Sequence, residues 1–396
     1  MINETMYGLG SRRSVIREIF EYGNRRRAEI GADKVFDFSL GNPSVPAPRE
    51  VEEAILDLVK NSDPVALHGY TSAQGDAGVR RAIAEDLNAR FGTKVSPDSI
   101  YMTCGAAASL CITLKALNAS SEDEYITFTP FFPEYRVFVE AAGGKLVAVA
   151  SDPADFQIDL EAFEAAITPN TKAVIVNSPN NPSGVVFTEE KLRAACALLE
   201  KKSCAYGHPI YLISDEPYRE LVYDGKTVPF LMNYYDNTVV CYSFSKSLSL
   251  PGERIGYIAL SDKLEEERRV YAAICGAGRA LGYVCAPSMM QRVAVKCLGK
   301  TADTSVYKTN RDLLFGALTE YGYTCIYPDG AFYLFVKSPE ADANAFCLRA
   351  REQELLLVPA DDFGTPGFVR IAYCVSTEQI QRALPAFQKL MESYQI

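Results

Sequence analysis

The segment that decides the fold is TVVCYSFSKSLSLPGERIGYIAL, which spans residues 238–260. Its apolar, β-branched residues at 238–243 predict a buried strand, and residues 255–260 predict a second one. Small residues surround Lys246 between these strands, and Arg254 follows eight positions later. An isolated lysine is usually a surface charge, but this one directly follows an apolar strand. The segment therefore predicts an amine held at the edge of a sheet.

Short β-branched runs alternate with periodic apolar segments from about residue 98 onward. Segments 107–117 and 191–199 have the apolar spacing of helices, which indicates crossover connections between strands. This rhythm predicts an α/β protein with a mainly parallel sheet. The predicted strands are 100–103, 125–128, 145–149, 173–177, 210–214, 238–243 and 255–260.

The pattern changes near residue 323, where a smaller α+β unit is predicted. Strands are expected at 332–336 and 368–372, and helices at 341–352 and 377–394. Helical patterns at 263–274 and 305–321 lead the chain out of the large sheet. Because no linker rich in Pro, Gly or Ser separates the two units, we expect them to pack closely.

The charge balance argues against nucleic acid as a partner. The formal net charge is −10, and the longest basic run is the arginine triplet at 25–27, which fits a solvated helix face. The N-terminus lacks a basic segment followed by an apolar core, and no apolar run is long enough to span a bilayer. We therefore expect no membrane association and a cytoplasmic location.

Cysteine and histidine usage excludes several kinds of chemistry. The eleven cysteines form no CxxC pair, and the chain has two histidines, His68 and His208. A disulfide framework or a zinc site would need clustering that the sequence lacks, so no metal is expected. Two histidines also weigh against Ser-His or Cys-His catalysis.

Three polar segments each follow a predicted strand. They are NSPNNPSG at 177–184, SDEPY at 214–218 and SFSK at 243–246. The carboxyl ends of parallel strands share one edge, and open α/β sheets bind ligands at that edge. We therefore expect the three segments to form one site.

With these motifs the sequence resembles the class I/II aminotransferases of pyridoxal phosphate fold type I. The resemblance runs from LGNP at 40–43 to VRI at 369–371, nearly the whole chain. It implies pyridoxal 5'-phosphate as cofactor and a seven-stranded sheet flanked by helices in a large domain, 49–290. A smaller α+β domain would combine 1–48 with 291–396.

The resemblance makes Lys246 the lysine that forms a Schiff base with the cofactor. Such an amine needs a pKa below its usual value of about 10.4, which desolvation and nearby cations provide. Asp215 resembles the carboxylate that pairs with the pyridine nitrogen. A unit charge at about 4 Å contributes roughly 4 kcal/mol at an effective dielectric of about 20, enough to keep that nitrogen protonated.

Further cofactor contacts are implied by the same resemblance. Tyr218 and Asn181 would donate hydrogen bonds to the phenolic oxygen, although the asparagine motif is also a good turn sequence. Phe132 matches the aromatic residue that stacks on the pyridine ring, with Phe131 as its rival. Tyr70 matches a tyrosine that reaches the phosphate of the neighbouring subunit, which implies a homodimer.

Phosphate binding is predicted at the start of the helix that follows strand 100–103. Backbone N–H groups at a helix start suit a phosphate, although an Ala-rich helix start is also an ordinary structural feature. Since family members often carry Ser, Thr or Lys where this chain has alanines, the loop must use backbone donors. The residues assigned to this rim are Gly105, Ala106, Ala107, Ser243, Ser245 and Arg254.

The substrate α-carboxylate is assigned to Arg370, whose planar guanidinium provides a bidentate fork. Gly41 would leave room and a backbone contact for the same carboxylate, and Asn181 would also contact the substrate. An arginine on a strand is more often a surface residue, so this assignment depends on the resemblance. The segment 328–333, PDGAFY, fits the family but receives no catalytic role.

Transamination between an amino acid, with aspartate as the best guess, and a 2-oxo acid is the predicted activity. Alanine or an aromatic amino acid are alternative donors. A cysteine-S-conjugate β-lyase is the first alternative, but Asn180 and Val185 stand where such lyases typically carry His and Arg. Decarboxylases and cyclopropane-forming synthases share the fold. The alternative from another class is a non-catalytic, pyridoxal-phosphate-binding regulator. Such regulators commonly carry an added DNA-binding domain, whereas the net charge of −10 argues against nucleic acid as a partner.

Overall fold

The computed structural model describes residues 1–11 and 14–394. Strands and helices alternate along most of the chain. The strands are β1 (Phe36–Asp37), β2 (Ile100–Thr103), β3 (Glu124–Thr129), β4 (Lys145–Ala150), β5 (Thr171–Asn177), β6 (Tyr211–Glu216), β7 (Thr238–Ser243), β8 (Gly256–Leu260), β9 (Thr324–Ile326), β10 (Tyr333–Lys337), β11 (Leu355–Leu356), β12 (Val358–Pro359) and β13 (Phe368–Ala372). The helices are α1 (Glu4–Ser11), α2 (Val15–Ile30), α3 (Arg49–Asn61), α4 (Pro64–His68), α5 (Ala77–Phe91), α6 (Ala106–Leu117), α7 (Glu134–Ala142), α8 (Leu160–Ala166), α9 (Glu189–Tyr206), α10 (Phe244–Ser247), α11 (Glu267–Ala280), α12 (Ser288–Lys296), α13 (Ser305–Glu320), α14 (Ala343–Glu352) and α15 (Thr377–Glu392).

A seven-stranded sheet forms the centre of the larger unit, in the order β2-β8-β7-β6-β5-β3-β4. Neighbouring strands are parallel except where β8 pairs antiparallel with β2 and β7. All seven predicted strands are confirmed, with ends that shift by two residues or fewer. The inner strands read as continuous apolar runs because helices cover both faces of the sheet.

Local capping explains where the connecting helices begin and end. The Thr188 side chain accepts a hydrogen bond from the Lys191 N–H at the start of α9, and left-handed Gly207 ends the helix. The helix predicted from residue 263 instead begins at Glu267 as α11 and continues to Ala280. The reason is Glu266, whose left-handed φ of 51° cannot belong to an α-helix.

The smaller unit contains a four-stranded antiparallel sheet in the order β12-β13-β10-β9. Helices α13 and α15 pack on it through a shared apolar core that includes Leu314, Leu318 and Phe387. Strand β1, near the N-terminus, pairs in parallel with β11. This pairing joins the N-terminal segment to the C-terminal part of the chain and brings the loop after β1 to the large sheet.

Two features absent from the described residues concern membranes and metals. In residues 1–11 and 14–394, no helix is both long and apolar enough to cross a lipid bilayer. Within the same part of the chain, His, Cys, Asp and Glu side chains form no group of three that could hold a metal ion.

Candidate active site

The carboxyl ends of β5, β6 and β7 lie side by side and bring the three polar motifs together. In the strand register, Asn177 pairs with Asp215, and Asp215 pairs with Cys241. Strand β7 ends at Ser243, and Lys246 lies in the short helix α10 that follows directly. The expected meeting of these motifs at one sheet edge is therefore observed.

Lys246 is half-buried, and its amine points toward the loop after β1. Its Nζ donates a hydrogen bond to the carbonyl oxygen of Gly41 at 2.8 Å and lies 5.4 Å from the centre of the Phe332 ring. Burial lowers the pKa of Lys246 to about 8; Cys374 opposes this shift, and Arg254 adds to it. Such an amine gives up its proton far more readily than a surface lysine does.

Asp215 is a buried carboxyl group with one oxygen bonded and the other free. Tyr135 donates a hydrogen bond to its Oδ2 at 2.5 Å. Its Oδ1 is buried and has no hydrogen-bond partner among residues 1–11 and 14–394. Burial raises the pKa of Asp215 to about 7, Tyr135 counteracts this, and Glu216 adds to it. Because buried polar atoms are nearly always bonded, the free oxygen marks a place for a donor from a ligand.

The hydroxyl of Tyr218 lies in the same buried group. It forms a hydrogen bond with the hydroxyl of Tyr333 at 2.9 Å, and its ring packs edge-on against Phe332 and Tyr333. Burial raises the pKa of Tyr218 well above its ordinary value of 10. Tyr218 therefore keeps its proton at neutral pH and is available as a donor.

Arg370 is 2% exposed, so its guanidinium is a buried cation. Nη1 donates to Asn181 Oδ1 at 3.1 Å, and Nη2 donates to the Ser39 carbonyl oxygen at 2.6 Å. Its Nε has no hydrogen-bond partner within the described part of the chain. The Tyr333 and Phe363 rings lie 4.6 and 5.0 Å from the guanidinium carbon. A buried cation with a free N–H is suited to a carboxylate ligand.

Gly41 lies where the loop after β1 approaches the smaller unit. A Cβ added at this position would lie 2.0 Å from the Tyr333 hydroxyl oxygen, so a side chain cannot be accommodated here. This close approach lets the Gly41 carbonyl reach Lys246 and is the physical reason for glycine.

The predicted phosphate rim is a cluster of hydroxyls, a cation and a helix start. Gly105 precedes α6 with a left-handed φ of 87°, and its added Cβ would lie 2.9 Å from Arg254 Nη2. The Arg254 Nη1 donates to Ser245 Oγ at 3.5 Å, and Ser245 Oγ lies 2.8 Å from Ser243 Oγ. A side chain at Gly105 would collide with the guanidinium, so glycine lets Arg254 lie directly against the start of α6.

The first residues of α6 fit the same picture. Ala106 and Ala107 are partly exposed, whereas Ala108 and Ser109 are buried. Within residues 1–11 and 14–394, no side chain caps the first turn of this helix. Backbone N–H groups therefore remain for an anion at the end where the helix dipole is positive.

The two neighbouring phenylalanines have different environments. Phe131 is 3% exposed and belongs to the apolar core, and its N–H donates to the Phe363 carbonyl. Phe132 is only partly buried and packs edge-on against Tyr135. This difference favours Phe132 as the ring that a ligand contacts.

Tyr70 is not brought into the site within one chain. It is 88% exposed, and it follows α4 on the surface. Its side chain is therefore accessible to a partner chain.

Two buried tyrosines complete the site and received no role from the sequence. Tyr135 bonds Asp215, and Tyr333 contacts Tyr218, Gly41 and Arg370. The available signals were the position of Tyr135 three residues after Phe132 and the place of Tyr333 in the PDGAFY motif. Neither signal specifies a contact, because each partner is distant in sequence.

Proteins of known class resemble this chain over most of its length. The family described as aminotransferase class I and II matches residues 33–387. The aspartate aminotransferase of Thermotoga maritima is 32% identical over 368 residues, covering 91% of this chain and 92% of that protein. The aspartate/prephenate aminotransferase of Thermus thermophilus is 31% identical, covering 89% and 90%.

Solved structures agree with this assignment. The structure of an aminotransferase from Eubacterium rectale matches with a TM-score of 0.98 and 58% identity, over 100% of both chains. That of the Thermotoga maritima aspartate aminotransferase matches with a TM-score of 0.85 and 30% identity, over 96% of this chain and 98% of that one. The chain belongs to the class I and II aminotransferases. It is accordingly a pyridoxal-phosphate-dependent enzyme that transfers amino groups between amino acids and 2-oxo acids, with the fold predicted from the sequence.

Proposed function

We propose that the enzyme holds pyridoxal phosphate covalently on Lys246, with Asp215 paired to the pyridine nitrogen. The observation that carries this proposal is the free, buried Oδ1 of Asp215. A protonated ring nitrogen supplies both the donor and the positive charge that this oxygen lacks, and its charge would lower the pKa of Asp215 from about 7.

Lys246 also acts as the acid–base group. Pyridoxal phosphate, when bound, supplies an electron sink for the charge that develops at the substrate α-carbon. Once the substrate amino group has displaced it from the cofactor, the Lys246 amine would accept the α-proton and deliver it to the cofactor carbon. Burial, which lowers its pKa to about 8, favours the neutral amine that this transfer needs. The free amine donates to the Gly41 carbonyl and lies beside Phe332, which supports this position for the released group.

Two further sets of residues fix the ring. Tyr218 and Asn181 donate to the phenolic oxygen, and Phe132 stacks on one face of the ring. The phosphate is bound by the backbone at Gly105, Ala106 and Ala107 and by the side chains of Ser243, Ser245 and Arg254. The Arg254 guanidinium, which lies directly against the start of α6, supports this placement.

The substrate α-carboxylate binds Arg370, with Asn181 and the backbone of Gly41 beside it. The free Nε of Arg370 supports this role. Orienting the carboxylate in this way sets the Cα–H bond relative to the ring. We propose aspartate as the amino donor, because relatives named aspartate aminotransferase match most of the chain. Alanine and aromatic amino acids are the alternatives.

We further propose a cytoplasmic homodimer in which Tyr70 reaches the phosphate of the neighbouring site, which its exposure supports. Residues 49–290 would form the large domain, and residues 1–48 with 291–396 the small one. The pairing of β1 with β11 supports this division, because it joins the two ends of the chain.

The test is a donor screen on purified protein loaded with pyridoxal phosphate. Each amino acid is offered with 2-oxoglutarate or pyruvate, and both amino transfer and pyruvate release are measured. We expect aspartate with 2-oxoglutarate to give the highest transfer, with little pyruvate formed from cysteine conjugates. Pyruvate release that exceeds transfer would instead identify a β-lyase.

Lys246→Ala is the companion variant. We expect it to lose the visible absorbance of the lysine-bound cofactor and at least about 10⁴-fold in turnover, since it lacks the acid–base group as well as the covalent link. Turnover at the wild-type rate in this variant would refute the role of Lys246.

A further inference from the structure

Tyr333 is a buried residue that contacts three groups of the site. It is the first residue of β10, where it pairs with Ala372, and it is 2% exposed. Its hydroxyl bonds Tyr218, its ring lies 4.6 Å from the Arg370 guanidinium carbon, and its hydroxyl end abuts Gly41. It thus lies between the groups proposed to bind the cofactor and those proposed to bind the substrate.

We propose that the Tyr333 hydroxyl is a positioning group, which donates its proton to Tyr218 and so directs the Tyr218 proton to the phenolic oxygen of the cofactor. This inference rests on the proposed function. It concerns a residue that acts through its hydrogen bond to Tyr218.

The direction of the hydrogen bond between Tyr333 and Tyr218 follows from the fact that each hydroxyl has one proton to donate. Two hydroxyls 2.9 Å apart share one hydrogen bond, and either oxygen can be the donor. If Tyr218 donates to Tyr333, its proton is used and it has none for the cofactor. If Tyr333 donates, Tyr218 is free to donate outward. An anionic phenolic oxygen attracts a proton more strongly than a neutral hydroxyl, so binding of the cofactor selects the second arrangement.

The surroundings keep Tyr333 in place and protonated. A Cβ at Gly41 would lie 2.0 Å from its hydroxyl oxygen, so the loop backs the hydroxyl closely. The Arg370 guanidinium packs over the face of the Tyr333 ring. Burial raises the pKa of Tyr333 to about 12, although Arg370 opposes the shift, and burial also keeps Tyr218 protonated. Donor chains of this kind strengthen one another in a buried site.

The experiment titrates the visible absorbance of the loaded enzyme with pH in wild type, Tyr218→Phe, Tyr333→Phe and the double variant. A hydrogen-bond donor to the phenolic oxygen weakens the attraction between that oxygen and the proton on the nitrogen that links Lys246 to the cofactor. Loss of the donor therefore raises the pH at which this proton is released. We expect Tyr333→Phe to raise the midpoint by about half a unit to one unit. Tyr218→Phe should raise it further, and the double variant should match Tyr218→Phe.

Tyr323→Phe is the matched control. Tyr323 is also buried, and its hydroxyl donates to the Phe387 carbonyl at 2.8 Å in the core of the smaller unit. This control should lose stability as Tyr333→Phe does, without moving the absorbance titration. A shift of equal size in both variants would mean a general structural effect and would overturn the inference.

A second readout separates the ring from the hydroxyl. Tyr333→Phe keeps the ring beside Arg370, so the KM for the amino donor should stay within about twofold of wild type. Tyr333→Leu removes the ring and should raise that KM roughly fivefold, the effect of losing a buried cation–π contact. Equal KM values in the two variants would contradict a role of the Tyr333 ring in holding Arg370 for the amino donor.

The remaining outcomes are distinct. A shift in Tyr218→Phe without one in Tyr333→Phe, or shifts that add in the double variant, would overturn the role of Tyr333 and leave the proposed function intact. A wild-type protein without lysine-bound absorbance would overturn the proposed function, and the inference with it.

Discussion

Asp215 and Glu216 are neighbours on β6, both buried, yet they lie in contrasting environments. Glu216 accepts hydrogen bonds from Arg219 and Ser214, both at 2.7 Å, and Arg219 also pairs with Glu220. The side-chain carboxyl group of Asp215 accepts one hydrogen bond, from Tyr135, and its other oxygen has no partner within the described residues. Strand β6 therefore directs Glu216 into a closed ion cluster and Asp215 into a site where one carboxyl oxygen lacks a partner.

The environment of Arg219 shows how complete the closed cluster is. The guanidinium donates to the Tyr257 hydroxyl at 3.2 Å and lies against the rings of Phe91 and Tyr242. Burial acts to raise the pKa of Glu220, but the charges of Arg219 and Arg90 outweigh it and lower that pKa. Buried charge alone thus does not mark the active site. The difference that matters is whether a buried polar atom lacks a partner.

A substitution of Asp215, the acid with an unpartnered oxygen, should have the largest effect, and that effect should be on activity. Asp215→Asn removes the charge proposed to sit beside the ring nitrogen, worth roughly 4 kcal/mol or a factor of about 10³ in turnover. Because Asp215 has no cationic partner among the described side chains, folding should be unimpaired. Steady-state kinetics and thermal unfolding measure both quantities. Turnover within about tenfold of wild type would contradict the role of Asp215.

A substitution of Glu216, in the closed ion cluster, should instead affect stability. Glu216→Gln removes one partner of a pair in which both side chains are at most 5% exposed. Arg219 keeps its contact with Glu220 but loses the shorter of its two ion pairs. This loss should lower the free energy of unfolding by about 3 kcal/mol, with activity changed less than about tenfold. Denaturant unfolding of both single variants measures this contrast directly. If Glu216→Gln lost activity as Asp215→Asn does, the two environments would not differ in function.

A pH experiment sharpens the comparison on the cofactor-free protein. The pKa of Asp215 is raised from 3.8 to about 7, chiefly by burial. In that interval the folded state keeps a proton that the unfolded state releases, so the free energy of unfolding falls as pH rises through it. Asp215→Asn lacks this proton, so its stability relative to the wild type should rise across the same interval by about 4 kcal/mol.

The cofactor supplies the control for this pH effect. A ring nitrogen paired with Asp215 stabilises the carboxylate, so the stability difference should shrink or reverse when the wild type is loaded. Unfolding curves with and without pyridoxal phosphate, at both ends of the interval, measure it. An identical pH dependence with and without the cofactor would contradict the pairing.

The seven central strands and the meeting of Lys246 with the SDEPY and NSPNNPSG motifs could be predicted because their signals are local. Runs of β-branched residues define strands, and parallel strand ends share an edge. The start of α11 was placed too early because the left-handed backbone of Glu266 has no strong signature in a non-glycine residue.

Tyr135 and Tyr333 show what the sequence alone could not provide. Tyr135 lies 80 residues from Asp215, and Tyr333 lies 115 residues from Tyr218. Such contacts arise when separate elements pack, here α7 against β6 and β10 against the loop after β6. No periodicity or turn signal encodes them. The free oxygen of Asp215 was likewise invisible, because it depends on every neighbour at once.

The most direct test of the central claim locates the covalent link. The enzyme loaded with pyridoxal phosphate is reduced with borohydride, which fixes the cofactor to its lysine, and is then digested and analysed by peptide mass spectrometry. We expect the modification on the peptide that contains Lys246, and its absence from Lys246→Ala. Modification of a different lysine in the wild type, with Lys246 unmodified, would contradict the assignment of the amine on which the rest of the site depends.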